Sequence, residues 1–190
     1  MIRIYCATTN PGKLREFRMA AGVGSAVEIE LLPGFRDIPV CVEDGQTFED
    51  NAILKARHYG QYTSALLFAE DSGLEVDALG GAPGVYSARF SGLDATDEEN
   101  NRLLLKRLKE VENRTARYVC VIAVVDGGEL RKLFRGVVEG SIANEPRGSR
   151  GFGYDPLFHY PPFGATFGEV DAERKFEVSH RGSALRAMLD

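Results

Sequence analysis

The chain contains no apolar run approaching the roughly 18 to 20 residues that span a bilayer, so no helical membrane span is expected. It also lacks a basic excess. Twenty-eight acidic residues against 23 Lys and Arg give a net charge of −5, and the pI is near 5.3. A nucleic-acid-binding surface usually announces itself by the opposite balance, and none is expected here. Cysteine is scarce: Cys6, Cys41 and Cys120 are odd in number and share no ligand-like spacing. Cys6 and Cys120 lie inside apolar runs and read as buried free thiols, which fits a reducing cytosol. The opening Met1-Ile2-Arg3-Ile4-Tyr5-Cys6-Ala7 lacks the basic, apolar and small-residue succession of a signal peptide and reads as a strand. No internal repeat and no linker interrupts the chain, so residues 1–190 are expected to form a single domain, placed in the cytoplasm.

What is present is an ordinary globular balance, 44% hydrophobic and 27% charged, sufficient for a real core. Alternation over Ile2, Ile4 and Cys6 gives a first strand, broken by Thr8-Thr9-Asn10-Pro11-Gly12. A helical pattern starts at Lys13 with Leu14, Phe17, Ala20 and Ala21, and residues 28–32 form a second short strand. Thr47 is placed to cap a long helix with Ala52, Ile53, Ala56 and Tyr59 as its buried stripe. Residues 64–69 form a compact apolar strand running into Glu70-Asp71-Ser72-Gly73, and residues 80–84 are loop. Thr96-Asp97-Glu98-Glu99 matches a capping box before Leu103, Leu104 and Leu108. Two β-rich runs, 117–125 and 129–138, meet at Asp126-Gly127-Gly128 as a hairpin, which argues against a purely parallel sheet. Residues 143–162 are too rich in Gly, Pro and Arg for regular structure, and Ser179 caps a terminal helix carrying Leu185 and Leu189.

Four segments carry chemistry. Thr8 to Lys13 sits where a strand ends and a helix begins, where backbone N–H groups and the positive helix end favour phosphate and Lys13 adds a point charge. It is not a Walker A loop, and a plain turn with a surface lysine is the alternative. Glu70 and Asp71 stand at the end of a buried strand, placed to hold a hard cation or orient water; a capped turn is the alternative. Side chains alternate along a strand, so one of the two acids is expected at the metal. Glu43-Asp44-Gly45 is a second acidic turn, by itself best explained as solvated. In Arg147 to Pro156, Phe152 and Tyr154 offer faces on which a base could stack, while inward packing of both rings is the alternative. Ser179-His180-Arg181 presents donors near a helix start, and no Ser/His/Asp triad is indicated. A basic cluster, Arg147, Arg150, Arg174, Lys175 and Arg181, falls in the last third of the chain.

Singly these signals are weak or moderate; in combination they are specific. The chain resembles the inosine triphosphate pyrophosphatase family, whose bacterial and archaeal members are described as dITP/XTP pyrophosphatases. The matching segments are residues 7–13, 43–48, 51–56, 70–74, 79–89, 151–156 and 179–181, in family order over nearly the whole chain. The resemblance implies an α/β fold with an elongated mixed β-sheet flanked by helices, two lobes with a nucleotide cleft between them, and a homodimer. It implies phosphate contacts from Thr8, Thr9, Asn10, Pro11, Gly12, Lys13 and Ser72. Asp71 matches the essential acid and Glu43 the second metal-associated carboxylate. Phe152, Gly153, Tyr154, Asp155, Lys175, His180 and Arg181 match positions that grip base and phosphates. Two positions depart from the pattern: Glu70 stands where many relatives have Asp, and Thr9 replaces a frequent glycine.

The expected reaction is hydrolysis of ITP, dITP or XTP between the α and β phosphates, releasing the monophosphate and pyrophosphate and cleaning the nucleotide pool. Magnesium, with manganese as a substitute, would be held by Glu43, Asp71 and the phosphates, and Asp71 would also orient or deprotonate the water. Lys13, Lys175 and Arg181 would offset phosphate charge, and His180 would donate to the purine 6-oxo group. A nucleotide sensor without turnover and a single-strand RNA module built on Phe152 and Tyr154 are the readings from other classes. A pyrophosphatase acting on modified pyrimidine nucleotides, which shares the opening strand-loop-helix signature, is the alternative among enzymes.

Overall fold

The computed structural model describes residues 2–22 and 26–190. Its architecture is α/β: among the described residues seven strands form one mixed sheet in the order β2-β1-β3-β4-β5-β6-β7, accompanied by five α-helices. By internal contacts the chain divides into two compact units. The first comprises Met1–Asp71, Cys120–Gly136 and Arg181–Asp190; the second comprises Ser72–Val119 and Val137–His180.

In the first unit, β1 (Ile2–Cys6) runs parallel to β2 (Val27–Leu31), with Ile4 opposite Ile29, and parallel to the start of β3 (Leu66–Val76), with Tyr5 opposite Leu67. Met1, included in the expected strand, lies outside the described residues. Helix α1 (Pro11–Ala20) starts two residues earlier than its apolar spacing indicates. Asn10 caps it, with Oδ1 accepting from Gly12 N at 2.8 Å and Lys13 N at 3.1 Å, and Pro11 occupies a first-turn position where its missing N–H is harmless. Phe17 is 1% exposed and meets Phe68 edge-on at 5.0 Å, a burial worth about 1.5–3 kcal/mol. Helix α2 (Phe48–Gly60) opens on a full capping box between Thr47 and Asp50. Ala52, Ala56 and Tyr59 are buried as expected, whereas Ile53 is half-buried and Asn51 and Lys55 lie inside the buried face.

In the second unit, α3 (Asp97–Arg107) begins with the Thr96/Glu99 capping box, and Leu104 and Leu108 enter the core behind it. Tyr154, Phe158 and Phe167 join them there with Tyr118 of β4 (Thr115–Asp126) and Val138 of β5 (Glu129–Ile142). A two-residue turn, Gly127-Gly128, links β4 and β5. Both glycines have positive φ, +58° and +82°, as a tight hairpin turn requires. From Tyr118 to Val125 every residue of β4 is buried, the burial of a strand covered on both faces.

Two sequence expectations need correction. Glu70, Asp71 and Ser72 are interior to β3, which continues to Val76, instead of following a strand end. Residues 143–162 are not wholly irregular: β6 (Phe158–Tyr160) pairs antiparallel with β5 and with β7 (Ala165–Thr166). Helix α4 (Ala172–Val178), capped by Asp171, lies ahead of α5 (His180–Leu189), and the buried Ser179 stands directly before α5, at the position from which it was expected to cap that helix. No helix among the described residues is long and apolar enough to cross a membrane.

Candidate active site

The first unit concentrates buried charge around Glu70 and Asp71, both over 90% buried. Successive side chains of β3 leave opposite faces, and the two acids accordingly acquire different partners. Glu70 pairs with the Lys13 ammonium through Oε1. Its Oε2 lies 3.6 Å from Arg181 Nε and accepts from the Cys120 thiol at 3.3 Å. Arg181, 2% exposed, is also paired with Glu16 of α1. Burial pushes the Glu70 carboxyl up, but the charges of Lys13, Arg181 and Lys55 outweigh it and hold the group below the usual carboxylate range. Burial disfavours the Arg181 guanidinium, and Glu16 with Glu70 restores it and keeps it protonated.

Asp71 faces α2. Its Oδ1 accepts from Lys55 Nζ at 2.8 Å and its Oδ2 from Asn51 Nδ2 at 3.2 Å. The same ammonium donates to Glu43 Oε2 at 2.8 Å. Asn51 Oδ1 accepts from Gly45 N at 2.9 Å, so one amide ties the Glu43 turn to Asp71. A Cβ at Gly45 would stand 2.6 Å from Asp50 Cβ and 2.7 Å from Asn51 Oδ1, so no other residue fits the turn. Asn51 and Lys55 are four apart and share a helix face. Burial raises the Asp71 carboxyl above its ordinary value, against the lowering effect of Lys55. In all, Lys13, Lys55 and Arg181 meet Glu16, Glu43, Glu70 and Asp71, three cations against four carboxylates. The surplus negative charge and the oxygen donors of Glu43 and Asp71 suit a hard divalent cation. Among the described residues no three His, Cys, Asp or Glu are grouped to hold a metal unaided.

The segment from Thr8 to Lys13, expected to receive phosphate, departs from expectation in one respect. The first N–H groups of α1 are occupied, since Asn10 accepts from Gly12 and Lys13 and its carbonyl accepts from Leu14 N. What the segment offers is therefore the Lys13 ammonium, the exposed Thr9 and the half-buried Thr8, whose hydroxyl accepts from Asn10 N at 3.1 Å.

The second unit collects the remaining candidates around Asp155, 2% exposed. Its Oδ2 accepts from Lys175 Nζ at 2.6 Å and Phe152 N at 2.9 Å, and Tyr118 Oη lies 3.4 Å from Oδ1. Lys175 Nζ lies 4.8 Å from the Phe152 ring centroid, and His180 stacks on Tyr118 at 4.7 Å and 11°. Gly151 is obligatory: a Cβ there would lie 2.0 Å from Asp155 Oδ2, and φ is +76°. Tyr154 turns inward, with its ring in the core and its hydroxyl donating to Ser87 O at 2.8 Å, so its face is not offered to a base. Phe152 is half-buried, and Ser72 is half-buried in β3.

The basic cluster thus divides. Lys175 and Arg181 are buried against carboxylates, whereas Arg147, Arg150 and Arg174 are exposed, Arg174 lying over the Phe163 ring at 4.2 Å. Sequence reading missed Glu16, Asn51 and Lys55, although the spacing of the last two on one helix face was available as a signal. It also missed Asp97 and Asn101, which bond the two sides of Gly153.

A family model described as the Ham1 family matches residues 4–190. The chain is 47% identical over 188 residues to a dITP/XTP pyrophosphatase of an Exiguobacterium species, covering 98% of this chain and 95% of that protein. It is 49% identical over 199 aligned positions to one from Acidobacterium capsulatum, covering 99% and 97%. Among solved structures, a HAM1 protein from Coxiella burnetii superposes with a TM-score of 0.89 at 39% identity, over 100% of this chain and 97% of that one. A nucleoside-triphosphatase / dITP/XTP pyrophosphatase from Mycobacterium abscessus gives 0.74 at 42% identity, over 98% and 97%. The fold is the α/β architecture of these solved structures. The chain belongs to the Ham1 family.

Proposed function

We propose that this chain is a nucleoside triphosphate pyrophosphatase that hydrolyses ITP, dITP and XTP to the nucleoside monophosphate and pyrophosphate, removing non-standard purines from the nucleotide pool. The observation that carries the reading is the convergence of Glu43 and Asp71, set by Asn51, on one buried ammonium. Two carboxylates held that way fit a divalent cation that a triphosphate brings with it. Magnesium, or manganese in its place, would be held by Glu43 and Asp71 and would supply charge neutralisation at the phosphates. Asp71 orients the attacking water and accepts its proton. Lys13, Ser72 and the segment Thr8, Thr9, Asn10, Pro11 and Gly12 receive the phosphates. Phe152, Gly153 and Asp155, with Lys175, His180 and Arg181, receive the purine, and Tyr154 contributes through its backbone. His180 donates to the 6-oxo group, which inosine and xanthine carry and adenine lacks. The working form is a cytoplasmic homodimer in which residues 1–190 act as one catalytic domain.

A nucleotide panel with magnesium, followed by identification of the phosphate product, tests the reading. ITP and XTP should release pyrophosphate, ATP should be turned over more slowly by roughly two to three orders of magnitude in kcat/KM, and EDTA should abolish turnover. Orthophosphate as the sole product, or binding without turnover, would overturn it.

A further inference from the structure

The loop assigned above to the purine is held partly from within and partly from outside. Asp155 N donates to Phe152 O at 3.3 Å and closes a turn, inside which Gly153 has φ +63°. Both polar groups of Gly153 are taken by one helix. Its N–H donates to Asp97 Oδ2 at 2.6 Å, and its carbonyl accepts from Asn101 Nδ2 at 3.1 Å. Asp97 and Asn101 are four apart on α3, one turn, so a single rigid face spans the residue. The neighbouring Phe152 and Asp155 are joined to each other through Phe152 N and Asp155 Oδ2 at 2.9 Å, so a shift of Gly153 displaces both. Asn101 is 8% exposed, and its Oδ1 has no hydrogen-bond partner among the described residues. A buried amide with an unmatched acceptor is disfavoured as mere packing, where leucine would serve, and its contact with Gly153 accounts for its presence.

We propose that Asp97 and Asn101 are positioning residues that set base selectivity by clamping Gly153. The inference rests on the assignment of residues 152–155 to the purine. Both side chains bond Gly153 and none of the residues assigned above to the metal or the phosphates, so their loss should act on base recognition and leave the chemical step intact.

Steady-state kinetics with ITP and ATP test it in Asp97→Ala, Asn101→Leu and the conservative Asp97→Asn, beside Phe152→Ala as a direct probe of the loop. Asp97→Ala and Asn101→Leu should raise KM for ITP about ten-fold, keep kcat within about three-fold, and lower the ITP-over-ATP ratio of kcat/KM about ten-fold, on the scale of a lost positioning contact. Asp97→Asn keeps an acceptor for Gly153 N and should restore both values. Since Asp97 also sits in the first turn of α3, melting temperatures are measured in parallel. A fall in Tm with KM and the ratio unchanged would make the pair a helix-end device and overturn the proposal. An unchanged ratio in the clamp variants with a changed one in Phe152→Ala overturns the clamp alone. An unchanged ratio in Phe152→Ala as well overturns the purine assignment and the clamp with it.

Discussion

The two units manage polar groups by different physics. The first gathers seven ionised side chains and compensates charge with charge, along Lys13, Glu70, Arg181 and Glu16 on one side of β3 and Lys55, Asp71 and Glu43 on the other. The second buries one ion pair, Asp155 with Lys175, among aromatic faces supplied by Phe152, Tyr118 and His180. Each unit also holds a loop from a helix by residues four apart: Asn51 and Lys55 on α2, Asp97 and Asn101 on α3.

If charge compensation is structural in the first unit, removing one partner should be severe. Arg181→Met leaves Glu16 and Glu70 buried without it, and should lower the unfolding free energy by about 3–5 kcal/mol in denaturant titrations. Arg174→Met, on the exposed surface of the second unit, should stay within about 0.5 kcal/mol. Equal effects of the two would erase the contrast.

Asp71→Asn should lower kcat by about 10²-fold or more with circular dichroism little altered. Near-normal turnover in the folded variant would remove Asp71 from the chemistry.

His180→Ala should touch selectivity more than rate, reducing ITP-over-ATP discrimination about ten-fold or more, the effect of one buried donor lost. A variant that discriminates like the wild type would restrict His180 to its stack on Tyr118.

The smallest effect concerns the thiols, all three of which lie in the first unit. Burial pushes the Cys6 thiol up to about 12 from its ordinary 9.0. A group raised on folding contributes its stability in full below its unfolded value, so stability should decline as pH rises from about 9 towards 12. At pH 8 a thiol reagent should modify Cys6, Cys41 and Cys120 only as fast as the first unit opens. Rapid labelling of native protein would show that this unit is looser than its ion pairs imply.

Features fixed by local chemistry were legible in the sequence. The caps at Thr47 and Thr96 and the Gly127-Gly128 turn need only neighbouring residues, and each stands where its signal placed it. Strands β6 and β7 are three and two residues long, too short for a periodic signal, and exist through the pairing of β6 with β5 and of β7 with β6 and through packing of Phe158 and Phe167. Carboxylates are poor strand formers, so Glu70 and Asp71 read as an end; tertiary cations permit them mid-strand. Site partners were hidden by distance along the chain: Glu16 meets Arg181 across 165 positions, and no local pattern announces such a pair.

The two-sided character of β3 bears on how the sequence can drift. Neighbours in the chain are usually constrained together, yet Glu70 and Asp71 answer to different hydrogen-bond partners, reached from opposite faces of one strand. Position 70 must present a carboxylate to Lys13 and Arg181, a demand that a change of side-chain length can meet if those flexible cations follow. Position 71 must reach Lys55 and Asn51, which a helix face holds in place, and has no such slack. Exchange of Glu for Asp should therefore be tolerated at the first of these adjacent acids, and the reverse exchange rejected at the second.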